Sequence, residues 1–324
     1  MSQRFGCRMT ALTPQALRRR GVLVLRLLLL TVISFGTASL LHYLLHNLRS
    51  HNHDSAALPS PAAPIAHTTD LGQIRADVSP TWLLATMSPV QSYTRRHIIR
   101  STYQSLYHPL CPNATFRFVL ARPSLPHVPL IEAENATYGD LVVLDHLEEN
   151  KQVANTVKTI EFFKWLAQVG REWTWVSKVD DDSFVNVQAF WQEFLLPRIK
   201  SRETSMVLMG RRCFNPLFPY PSGAFYTVSW DMTVKLAELH AISGITTEHE
   251  DLLNGRLLYE ANVEHNFVGL DQRRFFDYNP EVDGEQGWEH KVFEGAICPH
   301  MLKDDAVYLN VASLFERDGT NRVG

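Results

Sequence analysis

The segment "WTWVSKVDDDSFVN", Trp173–Asn186, runs from an apolar stretch straight into three adjacent aspartates, Asp180, Asp181 and Asp182. The continuous apolar character of "WTWVSKV" predicts a strand in the middle of a parallel sheet. Three neighbouring carboxylates repel one another and are costly to desolvate, so a triplet at the end of a buried strand needs either water or a cation. In open α/β sheets ligands collect at the carboxyl ends of strands, where this triplet falls.

The surrounding pattern alternates strand and helix. "TWLLATMS" (81–88) reads as a first strand, and "SYTRRHIIRSTYQSLY" (92–107) as a helix carrying Arg95, Arg96 and Arg100. "TFRFVLAR" (115–122) and "DLVVLDHL" (140–147) read as two further strands, and "NTVKTIEFFKWLAQVG" (155–170) as an amphipathic helix stopped by Gly170. The expected class is α/β.

Composition sets outer bounds. The 324 residues are 45% hydrophobic and 20% charged, with a net charge of -3. The chain can build one sizeable domain, and without a basic stretch interleaved with aromatics no nucleic-acid partner is expected. Near the N-terminus, Arg18, Arg19 and Arg20 precede the apolar run Gly21–Leu45, broken only by Arg26. A run of that length spans a bilayer at about 20 residues per crossing, and Arg26 can snorkel to the headgroups. Upstream positive charge keeps the tail cytosolic and sends the remainder across, a single-pass type II arrangement. A cleaved signal peptide fits less well, because the run exceeds an ordinary signal core and lacks a small-x-small exit.

The expected organisation is therefore a cytosolic tail (1–20), a transmembrane anchor (21–45), a stem (46–79) rich in Pro, Ala, Ser and His, and a luminal domain (80–324). The stem histidines, His46, His51, His53 and His67, read as solvated linker rather than a metal tract. Sequons at Asn113 and Asn135 offer candidate glycosylation sites in such a luminal chain. Of the cysteines Cys111, Cys213 and Cys298, one pair can form a disulfide there, Cys213 with Cys298 being the expected one.

Several chemistries drop out. Phe184 and Val185 stand where a calcium loop needs an oxygen ligand and a glycine, and Leu253 replaces the second histidine of a zincin helix after His249. The chain has neither a phosphate-binding GxxxxGK[ST] loop nor a GxSxG elbow. An Asp-x-Asp pair, Asp180 and Asp182, remains; such a pair can hold Mg²⁺ or Mn²⁺ while a ligand diphosphate fills the other positions, although a solvated acidic turn has the same sequence.

Taken together and in order, further segments resemble the β-1,3-galactosyltransferase-like family, glycosyltransferase family 31. "RRHIIRSTY", "YGDLVVLDHLEENKQVANTVKT", "WVSKVDDDSFVN", "YPSGAFYTVSWD" (220–231), "EHEDLLNG" and "ICPHML" each resemble one of its motifs, over roughly Thr81 to Leu302. The resemblance implies a GT-A (Rossmann-like) fold, a UDP-sugar donor, Mn²⁺ or Mg²⁺ as cofactor, a glycan acceptor and inverting hexose transfer, with galactose the expected sugar, at the Golgi membrane. By resemblance Asp182 ligates the ion and His300 adds a ligand from the C-terminal side. Asp180 contacts the nucleotide ribose or assists the metal, and Asp181 lies in the donor site or braces its loop.

Asp251 matches the family's general base, with Glu250 as the neighbour that can serve instead. The same stretch also reads as a plain helix start capped by Thr247. Ser222 and Gly223 are candidate donor contacts, glycine permitting close backbone approach. Arg96 and Arg100 share a helix face at i, i+4 and can reach a phosphate or the acidic loop, with surface ion pairs as the plainer reading. Lys158 matches a family lysine whose role the sequence does not reveal. Tyr103 replaces the family's tryptophan, and Leu252-Leu253-Asn254-Gly255 departs from its V-x-x-G, which leaves the donor sugar more open than the chemistry. N-acetylhexosamine, glucose or glucuronate donors, and a catalytically silent carbohydrate-binding scaffold, are the competing expectations.

Overall fold

The computed structural model describes residues 81–322 apart from 109–110, 112–113, 170–172 and 283–286. The expected tail, anchor and stem, the Asn113 sequon and the Gly170 stop lie outside the described residues. Among the described residues no helix is long and apolar enough to cross a membrane.

The fold is mixed α/β. Its main sheet has seven strands in the order β3-β2-β1-β4-β6-β5-β7: β1 Trp82–Met87, β2 Ala114–Arg122, β3 Leu141–Glu148, β4 Trp175–Asp180, β5 Val207–Phe214, β6 Pro219–Ser229 and β7 Asn266–Leu270. β3, β2, β1 and β4 are mutually parallel, whereas β6 is antiparallel to both β4 and β5. The strand predicted for the middle of a parallel sheet is thus central, but parallel on one side only. A three-stranded parallel sheet, β10-β8-β9, comprises β8 Phe275–Tyr278, β9 Glu289–His290 and β10 Cys298–His300.

Period-two alternation builds a core on each face. Trp82 and Leu84 pack on one side with Phe118, Trp175 and Phe184, while Leu83 and Ala85 pack on the other with Phe162, Phe163 and Leu236. Fully covered faces explain why β1 and β4 read as unbroken apolar runs. The helices used below are α1 Tyr93–Ile99, α2 Val128–Tyr138, α3 Lys158–Gln168, α4 Trp230–Ser243, α5 Glu250–Glu260 and α6 Asp305–Ala312. After β1 the chain builds outward through β2 and β3, then returns to place β4 on the other side of β1. The crevice between the carboxyl ends of β1 and β4 is therefore a topological switch point.

Arg96 and Arg100 do share a face, but that face turns onto α2. Both Glu134 oxygens accept from Arg96, Nε at 2.8 Å and Nη2 at 2.6 Å, and Oε1 also accepts from Arg100 Nη2 at 2.7 Å. Arg100 further grips Asp140, at 2.8 Å from both Nε and Nη2. Arg96 Nη1 donates to the Pro89 carbonyl at 2.7 Å, so the buried cluster braces the turn after β1. The donor-contact role expected of these two arginines is corrected: their charge is spent on Glu134 and Asp140.

One smaller expectation also changes. Cys111, Cys213 and Cys298 are free thiols, and Cys213 does not pair with Cys298: it stands on β5 opposite Tyr220, while Cys298 is buried in the small sheet opposite Phe275. Asn135, a candidate glycosylation site, lies in α2, where its Oδ1 accepts from Leu141 N at 3.3 Å.

The side chains of Arg96 and Glu134 are both 0% exposed, so Glu134→Ala, which strands a buried guanidinium, is expected to cost about 3–5 kcal/mol. Burial pushes the Glu134 carboxyl up, but its bonds to Arg96 and Arg100 outweigh this and hold it below its ordinary 4.5. A depressed carboxyl contributes stability above its unfolded pKa and loses it as pH falls through the folded one. Thermal denaturation of the full-length chain from neutral to acid pH should show that loss in the wild type, and Glu134→Gln should lack it.

Candidate active site

The triplet leaves β4 at the switch point. Ser183 N donates to the Asp180 carbonyl at 3.1 Å, closing a turn, and Ser183 Oγ donates to the Ala224 carbonyl on β6 at 3.1 Å. The buried ring of Phe184 stacks on Phe315 and anchors the loop beneath. A cleft of about 450 Å³ opens here, lined by Pro89, Gln91 and Ser92 from the turn after β1, Thr94 and Arg95 from α1, Asp181 and Asp182, and Lys303 and Asp305.

Asp180, Asp182 and His300 each present a ligand atom within 4.8 Å of the others. The His300 Nε2 lies 3.1 Å from Asp182 Oδ1 and 3.9 Å from Asp180 Oδ2. Its other nitrogen, Nδ1, is 2.9 Å from Asp277 Oδ1. The register of the small sheet dictates this contact, because His300 on β10 pairs with Asp277 on β8. A carboxylate behind the far nitrogen of an imidazole is the usual orienting partner of a metal-ligating histidine. Two carboxylates and one oriented imidazole fit a divalent cation such as Mn²⁺. Burial lowers the His300 pKa, but its bonds to Asp182 and Asp277 more than compensate and raise it to about 9. Burial holds the Asp182 carboxyl up, but the bond to His300 wins and keeps it below its ordinary value.

Asp181 is not one of the three grouped ligand atoms and lines the cleft with Asp182. Burial, then the charges of Asp182 and Asp180, raise its pKa to about 7. Lys158, whose place was not evident from the sequence, donates to the Ser88 carbonyl at 3.3 Å and to both Glu149 oxygens at 2.8 and 2.9 Å. It ties the segment after β3 to the end of β1 and so holds the cleft wall.

Lys178 joins this centre to a second carboxylate group. Its buried Nζ is 2.7 Å from Asp180 Oδ1 and 2.6 Å from Glu250 Oε1, and donates to the Gly223 carbonyl. Burial lowers the ammonium pKa, but Asp180 and Glu250 reverse this and hold it above its ordinary value. Glu250 Oε2 accepts from Tyr226 O–H at 2.8 Å, and Tyr226 in turn accepts from Asn254 Nδ2 at 2.8 Å. Glu250 is therefore locked inside. Asp251, the next residue, is partly exposed, accepting from Gly223 N at 3.2 Å and Leu252 N at 2.7 Å.

A Cβ at position 223 would stand 3.3 Å from Glu250 Oε1 and 3.4 Å from Asp251 Oδ2, so glycine lets β6 approach both carboxylates. Gly255 seats α5 in the same way, since a Cβ there would lie 2.7 Å from the Pro219 carbonyl. Helix α5 begins at Glu250, with His249 rather than the expected Thr247 at its cap and no side-chain cap bond. Ser222 Oγ accepts from Arg211 Nη2 at 3.0 Å, and Arg211 lies 3.6 Å from Asp277.

The structure thus brings together Asp180, Asp182 and His300, and places Asp251, Glu250, Ser222 and Gly223 beside them. It removes Arg96 and Arg100 and adds Lys178, Asp277, Arg211 and Arg95. Lys178 carried a readable signal, a lysine inside an apolar strand two residues before an aspartate. Asp277 carried none.

Residues 94–211 match the protein-family model described as Galactosyltransferase. The β-1,3-galactosyltransferase pvg3 of Schizosaccharomyces pombe is 24% identical over 289 residues, 72% of this chain and 74% of that protein. Among solved structures, a glycosyltransferase involved in glycosylation of the major capsid of PBCV-1 superposes with a TM-score of 0.40 at 11% identity, over 72% of this chain and 100% of that one. Mouse xyloside xylosyltransferase 1 in its apo form gives 0.37 at 9% identity, over 69% and 97%.

Replacing Lys178 by methionine leaves the nearly buried Glu250 without its cation, which is expected to cost about 3–5 kcal/mol in unfolding free energy. Adding Glu250→Gln to Lys178→Met should recover part of the loss, as thermal denaturation of the full-length variants would reveal.

Proposed function

We propose that this chain, which belongs to the galactosyltransferase family through residues 94–211, is an inverting glycosyltransferase of GT-A type that moves galactose from a UDP-sugar to a hydroxyl of a glycan acceptor, forming a β-1,3 linkage. The observation that carries the reading is the pairing of a cation-competent set, Asp180, Asp182 and His300, with a partly exposed carboxylate, Asp251, across Gly223. An N-terminal anchor that holds the domain in the Golgi lumen completes the proposal and rests on the apolar run Gly21–Leu45.

Asp180, Asp182 and His300 would hold the divalent cation, with Asp277 orienting the imidazole. The cation, when bound, supplies Lewis-acid neutralisation of the charge that develops on the departing diphosphate. The cleft between the ends of β1 and β4 receives the nucleotide, with Asp181 and the turn Pro89–Ser92 as its walls. Asp251 accepts the proton of the acceptor hydroxyl while that oxygen attacks the anomeric carbon and the bond to UDP breaks on the opposite side. Glu250 is a poor base, because it is buried, ion-paired with Lys178 and bonded to Tyr226, out of reach of an acceptor hydroxyl, whereas Asp251 is partly exposed. Its task is to hold the start of α5, and with it Asp251, against β6.

Calorimetric titration of the full-length chain in detergent with a panel of UDP- and GDP-sugars, with Mn²⁺ and again with EDTA, tests the reading. Mn²⁺-dependent binding of UDP-galactose supports it, and metal-dependent binding of another UDP-sugar changes the donor. A folded chain that binds none of them would return the triplet to a solvated turn.

Two variants divide the roles. Asp182→Ala is expected to abolish metal-dependent donor binding with the fold retained. Asp251→Asn is expected to keep donor affinity and lose transfer by a factor of about 10²–10⁴, the usual contribution of a general base; an unchanged transfer rate would remove Asp251 from that role.

A further inference from the structure

His300 reaches the triplet on a segment remote in sequence. Three main-chain hydrogen bonds lay that segment beside the loop: Asn186 N to the Ile297 carbonyl at 2.8 Å, Phe184 N to Pro299 at 3.0 Å, and Leu302 N to the Asp182 carbonyl at 2.9 Å. Between the last two contacts, Met301 adopts φ +66°. That left-handed conformation is uncommon for a residue with a side chain and persists where the surroundings impose it. The Met301 side chain is 41% exposed, so its own packing does little to impose it, whereas Leu302 beside it is fully buried.

Arg95 supplies the constraint. Its Nη1 donates to the Leu302 carbonyl at 2.6 Å and reaches the Asp181 carbonyl at 3.5 Å. Its Nη2 donates to the Lys303 carbonyl at 2.8 Å and pairs with Asp305 at 2.8 Å. The guanidinium lies 4.7 Å over the ring of Tyr308, whose O–H donates to the Ser183 carbonyl at 3.0 Å. One fork therefore grips both the triplet loop and the turn that follows His300.

We propose that Arg95 is a positioning residue for the divalent-cation site: by fixing the left-handed turn at Met301 it aims His300 Nε2 at Asp180 and Asp182. The inference rests on the reading of those three residues as a cation site. A planar fork holds two consecutive carbonyls and a carboxylate in one fixed geometry, whereas an ammonium is a compact point charge whose donors rotate on a flexible stem. Arg95 thus acts on the ion through His300, and its removal loosens a ligand without deleting it.

The test is Mn²⁺ titration of the full-length chain in detergent, reading free Mn²⁺ by electron paramagnetic resonance with no sugar nucleotide present. Arg95→Met and Arg95→Lys are expected to weaken Mn²⁺ binding by about 10- to 100-fold, the range for partners that orient a metal ligand. In a His300→Ala background, Arg95→Lys should add no further loss, because the route through the imidazole is already gone. Should Arg95→Met fail to fold, Asp305→Asn, which removes one contact of the grip, should give the same loss in smaller degree. Unchanged Mn²⁺ affinity with a lowered melting temperature overturns the proposal, as does the same fold-loss with and without His300. Failure of the wild-type chain to bind Mn²⁺ overturns the cation site itself and the positioning role with it, an outcome distinct from normal binding by both wild type and variants.

Discussion

The Lys178 ammonium, buried among Asp180, Glu250 and the Gly223 carbonyl, is the interaction on which the rest of the site depends. Removing a charge from water costs several kcal/mol, and the cost is offset only when every donor finds an acceptor in good geometry. That condition places β4, β6 and the first turn of α5 in one register. It also fixes an electrostatic division of labour. Glu250 is neutralised and enclosed, while Asp251 one position on remains open to a ligand. Asp180 shares its charge between Lys178 on one oxygen and the His300 side on the other.

Around this anchor the topology gathers the candidate site at the carboxyl ends of the central strands β1 and β4. The chain doubles back after β3, so β1, paired with β4 up to Met87 and Asp180, leads on to β2 on one side while β4 leads on to β5 and β6 on the other. A cleft opens at the turns that follow them. Buried ion pairs hold its walls: Arg96 with Glu134 behind the turn at Pro89, and Lys158 with Glu149 behind Ser88. The small sheet then carries His300 and Asp277 in as a registered pair. Segments distant in sequence therefore meet at the triplet: β6 through Ala224 and the small sheet through His300 and Asp277.

Legibility followed the range of the forces involved. The apolar runs of β1 to β4, the amphipathic helix over α3 and the strand that ends at Asp180 were readable, since each reflects local side-chain pattern against a core. The shared face of Arg96 and Arg100 was readable for the same reason, but not that Glu134 would occupy it. The Cys213–Cys298 pair failed because spacing carries no information about which sheet each cysteine joins.

By itself, then, the sequence determined the strands β1 to β4 with the helices over α1 and α3, the delivery of Asp180, Asp181 and Asp182 to a strand end, and the start of α5 close to Glu250 and Asp251. Only the tertiary structure decided which charges would be enclosed in ion pairs and which left partly exposed: Arg96, Lys158 and Glu250 are buried and Arg100 nearly so, while Asp182, His300 and Asp251 are partly exposed. The physical reason is that a backbone element follows from neighbours along the chain, whereas the state of a charged side chain follows from whichever partner meets it after burial, near in sequence for Lys158 and Glu149 but remote for His300 and Asp182.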